Sequence, residues 1–141
     1  MPKELPRLPC SCANLRRAAR AVSQMYEEEL RGSGLRTTQF TLLQALETAG
    51  TLSQGELGAL LCIDSTTLSR TLRPLVDNDW VDARRGRDKR ERLISLTAAG
   101  KRKIELLTPH WQRAQRRFKR VFTGDAADLE RQLRQLASAL S

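Results

Sequence analysis

Residues 64–80 read DSTTLSRTLRPLVDNDW, and residues 81–96 continue VDARRGRDKRERLISL. In the first stretch Leu68, Leu72, Leu75 and Val76 recur at three- and four-residue spacing, which predicts a helix with one buried stripe, opened by Asp64 as its cap. Its outward positions are Ser65, Thr66, Thr67, Ser69, Arg70 and Arg73, short polar or basic side chains throughout. In the second stretch, Trp80–Arg84 and Arg92–Leu96 read as short strands around the turn RGRDKRE, with Gly86 at its start. From Arg84 to Arg92 the hairpin carries Arg84, Arg85, Arg87, Lys89, Arg90 and Arg92 against only Asp88 and Glu91. So many like charges on a tight turn repel one another unless an anion is present. A helix of major-groove size followed at once by a basic hairpin is the pattern of a winged helix-turn-helix reader.

The flanking sequence fits that frame. Ser53 and Glu56 form a capping box that opens a short third helix, SQGELGALL, so that it and the fourth helix make the helix-turn-helix. Upstream, Thr37 or Thr38 is expected to cap a second helix with Phe40, Leu43, Leu46 and Ala49 inward and Gly50 as its stop. A first helix is expected from Cys12 to Arg31, ended by Gly32-Ser33-Gly34. Met1 to Pro9, with three of the five prolines, reads as an extended arm. Downstream, Thr97 caps a fifth helix reaching about Phe122, whose stripe is Ile104, Leu107, Trp111, Ala114, Phe118 and Val121. Asp125 caps a sixth, with Leu129, Leu133, Leu136 and Leu140 on one face. Pro74 is expected to kink or end the fourth helix and Pro109 to bend the fifth, since each removes a backbone donor.

The fold class expected is mainly α with a small β-wing. Residues 1–141 form one domain in which 35–100 are the winged helix-turn-helix part, and 12–31 and 101–141 are helices for dimerisation. The narrow apolar seams of the last two helices suit pairing between two copies of the chain, giving a homodimer.

Charge and composition narrow the partner. Lys and Arg number 25 against 16 Asp and Glu, a formal charge of +9, which points first to nucleic acid and second to an anionic membrane surface. Aromatic residues are only 4%, which argues against an RNA reader that stacks bases. No apolar run is long enough to span a bilayer and no signal-peptide core is present, so a cytoplasmic protein is expected. Three cysteines, an odd number, argue against a disulfide framework.

Asp88, Arg90, Ile94, Leu96, Thr97 and Gly100 together spell D-x-R-x-x-x-I-x-L-T-x-x-G. That run resembles the wing signature of the MarR family of bacterial transcriptional regulators. LRTTQFTLLQAL (35–46) and IDSTTLSRTL (63–72) are similar to that family's second and fourth helices; Pro74 departs from its pattern. The resemblance implies a homodimer with a triangular helical body and two winged reading heads on a pseudo-palindromic double-stranded DNA operator. It implies the fourth helix in the major groove, Arg90 at the wing tip in the minor groove, and Asp88 bracing the wing. It further implies a repressor released by an effector, either a small phenolic compound held between the dimer helices and the reading head, or an oxidant acting on a cysteine near the start of the first helix.

Cys10 and Cys12 are the candidates for the oxidant route, because a helix N-terminus with Arg16 and Arg17 nearby favours thiolate. The other reading makes them small residues docking the arm. A bond between the two across one residue would be strained. Cys62 reads as a core residue. His110 and Trp111, after the Pro109 bend, are candidates to line an effector pocket. His110 is the only histidine and no C-x-x-C spacing exists, so neither metal nor cofactor is expected. Two other functional classes stay open: a thiol-dependent, peroxide-reducing enzyme using Cys12, and a non-specific architectural nucleic-acid binder. The first lacks a paired base at diagnostic spacing.

Overall fold

In a computed structural model, which describes residues 4–141, apolar periodicity becomes α1 (Ser11–Leu30), α2 (Thr37–Ala49), α3 (Gln54–Leu61), α4 (Ser65–Asp77), α5 (Ala98–Val121) and α6 (Ala126–Leu140). Residues 1–3 of the expected arm lie outside the described residues; residues 4–10 carry neither helix nor strand. The hairpin is β2 (Val81–Arg85) and β3 (Arg92–Leu96), paired from Val81↔Leu96 to Arg85↔Arg92. Trp80, expected as the first strand residue, instead ends the turn after α4, its N–H donating to the Leu75 carbonyl (3.0 Å).

A third strand was not expected. β1 (Leu52–Ser53) pairs antiparallel with the free edge of β3, Leu52 opposite Ile94, giving the order β1-β3-β2. Two residues are too few to show alternation. Their pairing matters because it ties the base of the wing to the residue that caps α3.

Local hydrogen bonding explains most of the helix starts. Ser53 accepts from the Glu56 N–H (3.1 Å) while the Glu56 carboxylate accepts from the Ser53 N–H (2.7 Å). Thr97 accepts from the Gly100 N–H (2.9 Å), and Asp125 from the N–H groups of Ala127 (2.9 Å) and Asp128 (3.2 Å). At α2 the expectation fails: Thr37 is the first helical residue and Arg36 holds the cap position. The open N–H groups there are met by longer side chains. Gln39 Oε1 accepts from Arg36 N–H and Glu27 Oε1 from Thr37 N–H, both at 2.9 Å. No threonine hydroxyl is then needed.

Neither proline ends its helix. α4 runs three residues past Pro74, and the Pro74 carbonyl accepts from both the backbone N–H (3.1 Å) and the side-chain amide (2.7 Å) of Asn78. α5 runs unbroken through Pro109. The carbonyls that lose a partner belong to Arg70 and Glu105, both exposed, so water can take the place of the missing donor.

The core is one cluster that includes Leu30, Leu35, Phe40, Leu43, Leu57, Leu68, Leu72, Leu75, Val81, Ile94, Ile104 and Leu107. Each fully buried leucine contributes about 1.5–3 kcal/mol. Leu68, Leu72 and Leu75 therefore fix the rotation of α4 and leave its polar face outward. Two glycines mark where the elements come too close for a side chain. A Cβ on Gly58 of α3 would stand 3.0 Å from the Ile63 carbonyl, at the turn into α4. A Cβ on Gly100 would stand 2.1 Å from the Trp80 carbonyl. Around that second contact Thr97 N–H donates to the same carbonyl (3.2 Å) and Thr97 Oγ1 donates to the Asp79 carbonyl (2.5 Å). The wing is thus anchored to the first turn of α5.

α1 and α5 pack antiparallel through polar contacts. Arg117 pairs with Glu28 (2.7 Å) and Arg113 with Glu29 (3.5 Å), and Tyr26 donates to Gln115 Oε1. Val121, expected on the inner stripe of α5, is 73% exposed. α6 buries no residue.

Candidate nucleic-acid interface

Ser65, Thr66, Thr67, Ser69, Arg70 and Arg73 are all exposed on α4, but they are not equally free. The Asp64 carboxylate accepts from Thr67 N–H (2.8 Å) and Thr67 Oγ1 (2.7 Å), so the Thr67 proton is committed to the cap. Those same bonds, the backbone one foremost, hold the Asp64 carboxyl below its ordinary 3.8. Ser69 Oγ accepts from Gln54 Nε2 (2.7 Å). Among the described residues, the side chains of Ser65, Thr66, Arg70 and Arg73 bond to no protein group.

The wing tip is held by its own backbone. Gly86 N–H donates to the Glu91 carbonyl (2.8 Å) and Glu91 N–H to the Asp88 carbonyl (2.9 Å). The Asp88 carboxylate accepts from Arg90 N–H (3.1 Å), so its charge is spent on the turn and not on an arginine. Arg84 pairs with Asp82 (2.7 Å), its side chain still 75% exposed, a contact worth at most about 1 kcal/mol. Arg85, Arg87, Lys89, Arg90 and Arg92 are exposed and, among the described residues, form no ion pair. Like charges 4 Å apart repel by about 1 kcal/mol even in water. An uncompensated set of five on one hairpin is a surface built for an anion.

Helix and wing share a common side. An open groove of about 760 Å³ is bordered by Ser53, Gln54 and Gly55 at the start of α3, Ser65 at the start of α4, and Asp88, Arg90 and Arg92 of the wing. A second, of about 280 Å³, has Gln54, Ser69, Arg73 and Arg92 on its walls. Gln54 borders both, and nothing local in the sequence marks it.

Other candidates are diverted. Lys103, on α5 downstream of the wing, donates to the Ser33 carbonyl (2.7 Å) and lies 4.8 Å over the Trp80 ring. Lys101 and Arg102 stay exposed. His110 Nδ1 lies 2.9 Å from both the Glu29 carbonyl and Arg113 Nη2. One nitrogen cannot donate to the first and accept from the second. Glu29 lies in the last turn of α1, where carbonyls lack helical partners, and Arg113 already has the Glu29 carboxylate, so Nδ1–H to the carbonyl is the better arrangement. Trp111 packs on the core. Neither residue lines the grooves described here.

Cys10 is the α1 cap residue, making no side-chain cap bond, and Cys12 is exposed in the first turn. Arg16 is exposed. Arg17, expected beside the thiols, instead donates to the Pro6 carbonyl (2.8 Å) and Asn14 Oδ1 (2.9 Å), pinning the arm. Cys62 is not a core residue. It is the exposed, left-handed end of α3 (φ 53°), its Sγ 3.5 Å from Ser141 Oγ at the end of α6. The helix-turn-helix needs a tight reversal there, and that turns the side chain outward. Cys62 also borders a third groove, of about 690 Å³, shared with Ala59, Ile63, Leu133, Leu136 and Leu140. Among the described residues no cluster of three or more His, Cys, Asp or Glu could hold a metal, and no helix is long and apolar enough to cross a membrane.

Comparison with known proteins bears on this geometry. The MarR family model matches residues 35–91, from the entry to α2 through the wing tip. YwoH of Bacillus subtilis, an uncharacterised HTH-type transcriptional regulator, is 35% identical over 91 residues, 64% of this chain and 66% of its own. The M. tuberculosis transcriptional regulator MosR, solved in complex with DNA, has a TM-score of 0.82 at 33% identity, over 93% of this chain and 96% of that one. A mutant MarR from E. coli complexed with operator DNA has a TM-score of 0.76 at 25% identity, over 89% and 91% of the two chains.

Proposed function

The chain belongs to the MarR family, and from that premise we propose that it is a homodimeric, sequence-specific DNA-binding repressor released from a pseudo-palindromic operator by an effector. The observation that carries the reading is the pairing of a polar, outward α4 face with an arginine wing that has almost no acidic compensation, both bordering one groove. α4 enters the major groove, where Arg70 can pair with a guanine and the hydroxyls can reach base edges or phosphates. Arg90, beside the braced Asp88 turn, reaches the flanking minor groove. Two relatives solved with DNA support the partner.

The dimer rests on α6. A helix with no buried residue, whose Leu133 and Leu136 are each 44% exposed and whose Leu140 is 80% exposed, has an apolar face that a second copy would cover. Two-fold symmetry then gives two half-sites read in register. Two release routes have support. The exposed thiols of Cys10 and Cys12 suit an oxidant. The largely apolar groove between α6 and the α3–α4 turn, whose α6 wall is that same leucine face, is of a size that takes a small aromatic molecule where the second copy leaves it open.

Fluorescence anisotropy on duplex from the gene's own upstream region, against scrambled duplex, tests the reading. Expected is selective binding that falls steeply with salt, with a log–log slope of about −0.9 per phosphate neutralised. Equal binding to both duplexes would leave only a non-specific architectural role. Loss of binding on mild peroxide, regained on reduction, selects the thiol route; indifference to peroxide makes the cysteines structural and turns the test to small aromatic ligands for the groove.

A further inference from the structure

Gln54 opens α3 and reaches across to α4, where its Nε2 donates to Ser69 Oγ over 2.7 Å. A serine hydroxyl has one proton and two lone pairs. With a lone pair occupied by the amide, the proton must point away from Gln54. On a helix its usual retreat is the carbonyl four residues back. Thr71, two residues on, does that, donating to the Thr67 carbonyl (2.8 Å). Ser69 makes no such bond, and its residue is exposed. The orientation of the amide follows from its surroundings. Gln54 shares a groove with Arg73 and Arg92, so the carbonyl oxygen is favoured facing those cations and the NH2 group facing Ser69.

Resting on the DNA-binding reading above, we propose that Gln54 is a positioning residue that turns the Ser69 proton toward the DNA and so favours Ser69 as a hydrogen-bond donor there. Ser65, Ser69 and Arg73 lie four residues apart along one row of α4, which places Ser69 in the middle of the reading face. The base that Ser69 meets in each half-site should then present an acceptor: a purine N7, guanine O6 or thymine O4. A cytosine, whose N4 group only donates, leaves that proton without an acceptor and is disfavoured there.

The test compares wild type, Gln54→Ala, Gln54→Glu, Ser69→Ala and the Gln54→Ala/Ser69→Ala double variant on the tightest-bound upstream duplex, changed one base pair at a time. Expected is a loss of discrimination, roughly three- to tenfold, at a single position in Gln54→Ala. Ser69→Ala should lose it at the same position, and the double variant should lose no more than either. Gln54→Glu can only accept, so it draws the Ser69 proton inward, and preference at that position should move toward cytosine. Uniformly weakened binding by Gln54→Ala, with every position still discriminated, would overturn the proposal and leave Gln54 a packing residue. A wild type that treats scrambled and upstream duplex alike would instead overturn the function on which the proposal stands.

Discussion

Replacing Thr97 by alanine removes one oxygen that holds two elements. The hydroxyl accepts from Gly100 N–H, capping α5, and donates to the Asp79 carbonyl in the turn before β2. Loss of a threonine cap costs about 1 kcal/mol, within a range of roughly 0.5–2. Loss of a neutral hydrogen bond costs about 1 kcal/mol more, toward the low end here because Asp79 is exposed and its carbonyl can be rehydrated. The sum is about 2 kcal/mol, a sizeable part of the 5–15 kcal/mol that typically separates folded from unfolded chains. Thr97→Ser keeps both bonds and should stay within about 0.5 kcal/mol of wild type. The assay is urea unfolding followed by circular dichroism at one fixed protein concentration, since the proposed dimerisation would make the midpoint depend on it. With a slope near 2 kcal/mol/M the alanine midpoint should fall by about 1 M. An alanine variant as stable as the serine variant would refute the claim that this oxygen anchors the wing to α5.

Three further outcomes are expected. Arg90→Ala should weaken operator binding by about 1–3 kcal/mol in anisotropy titrations while sedimentation still shows the same oligomer; unchanged affinity would remove Arg90 from the interface. Asp64, whose folded carboxyl lies below its ordinary 3.8, contributes stability that is fully present above that value and lost as pH falls through the lower folded one. Asp64→Ser keeps a cap without the titration, so its stability should change less between pH 5 and pH 2; identical acid profiles would sink that linkage. Truncation after Phe122 removes the α6 leucines and should leave a monomer by light scattering, whereas a stable dimer would place the interface elsewhere.

What the sequence alone determined is what neighbours along the chain decide. The Ser53–Glu56 box, the Asp64, Thr97 and Asp125 caps and the Asp88 turn all close over two or three residues, and the buried stripe of α4 repeats every turn. Such features are readable because both partners lie in one short window. Gly100 was legible as a motif residue, but its reason, a carbonyl 2.1 Å from where a Cβ would sit, comes from an element twenty positions earlier. The tertiary structure alone settled how side chains were allotted among distant partners. Lys103 went to Ser33 and Trp80, seventy and twenty-three residues away. His110 turned to the end of α1, Glu27 took over the cap at α2, and Gln54 reached Ser69. Cys62 was turned outward by the reversal between two helices. Polar side chains go to whichever unsatisfied group the fold brings near, because an unpaired buried donor or acceptor costs more than a bond gained on the surface. No local pattern encodes which group that will be.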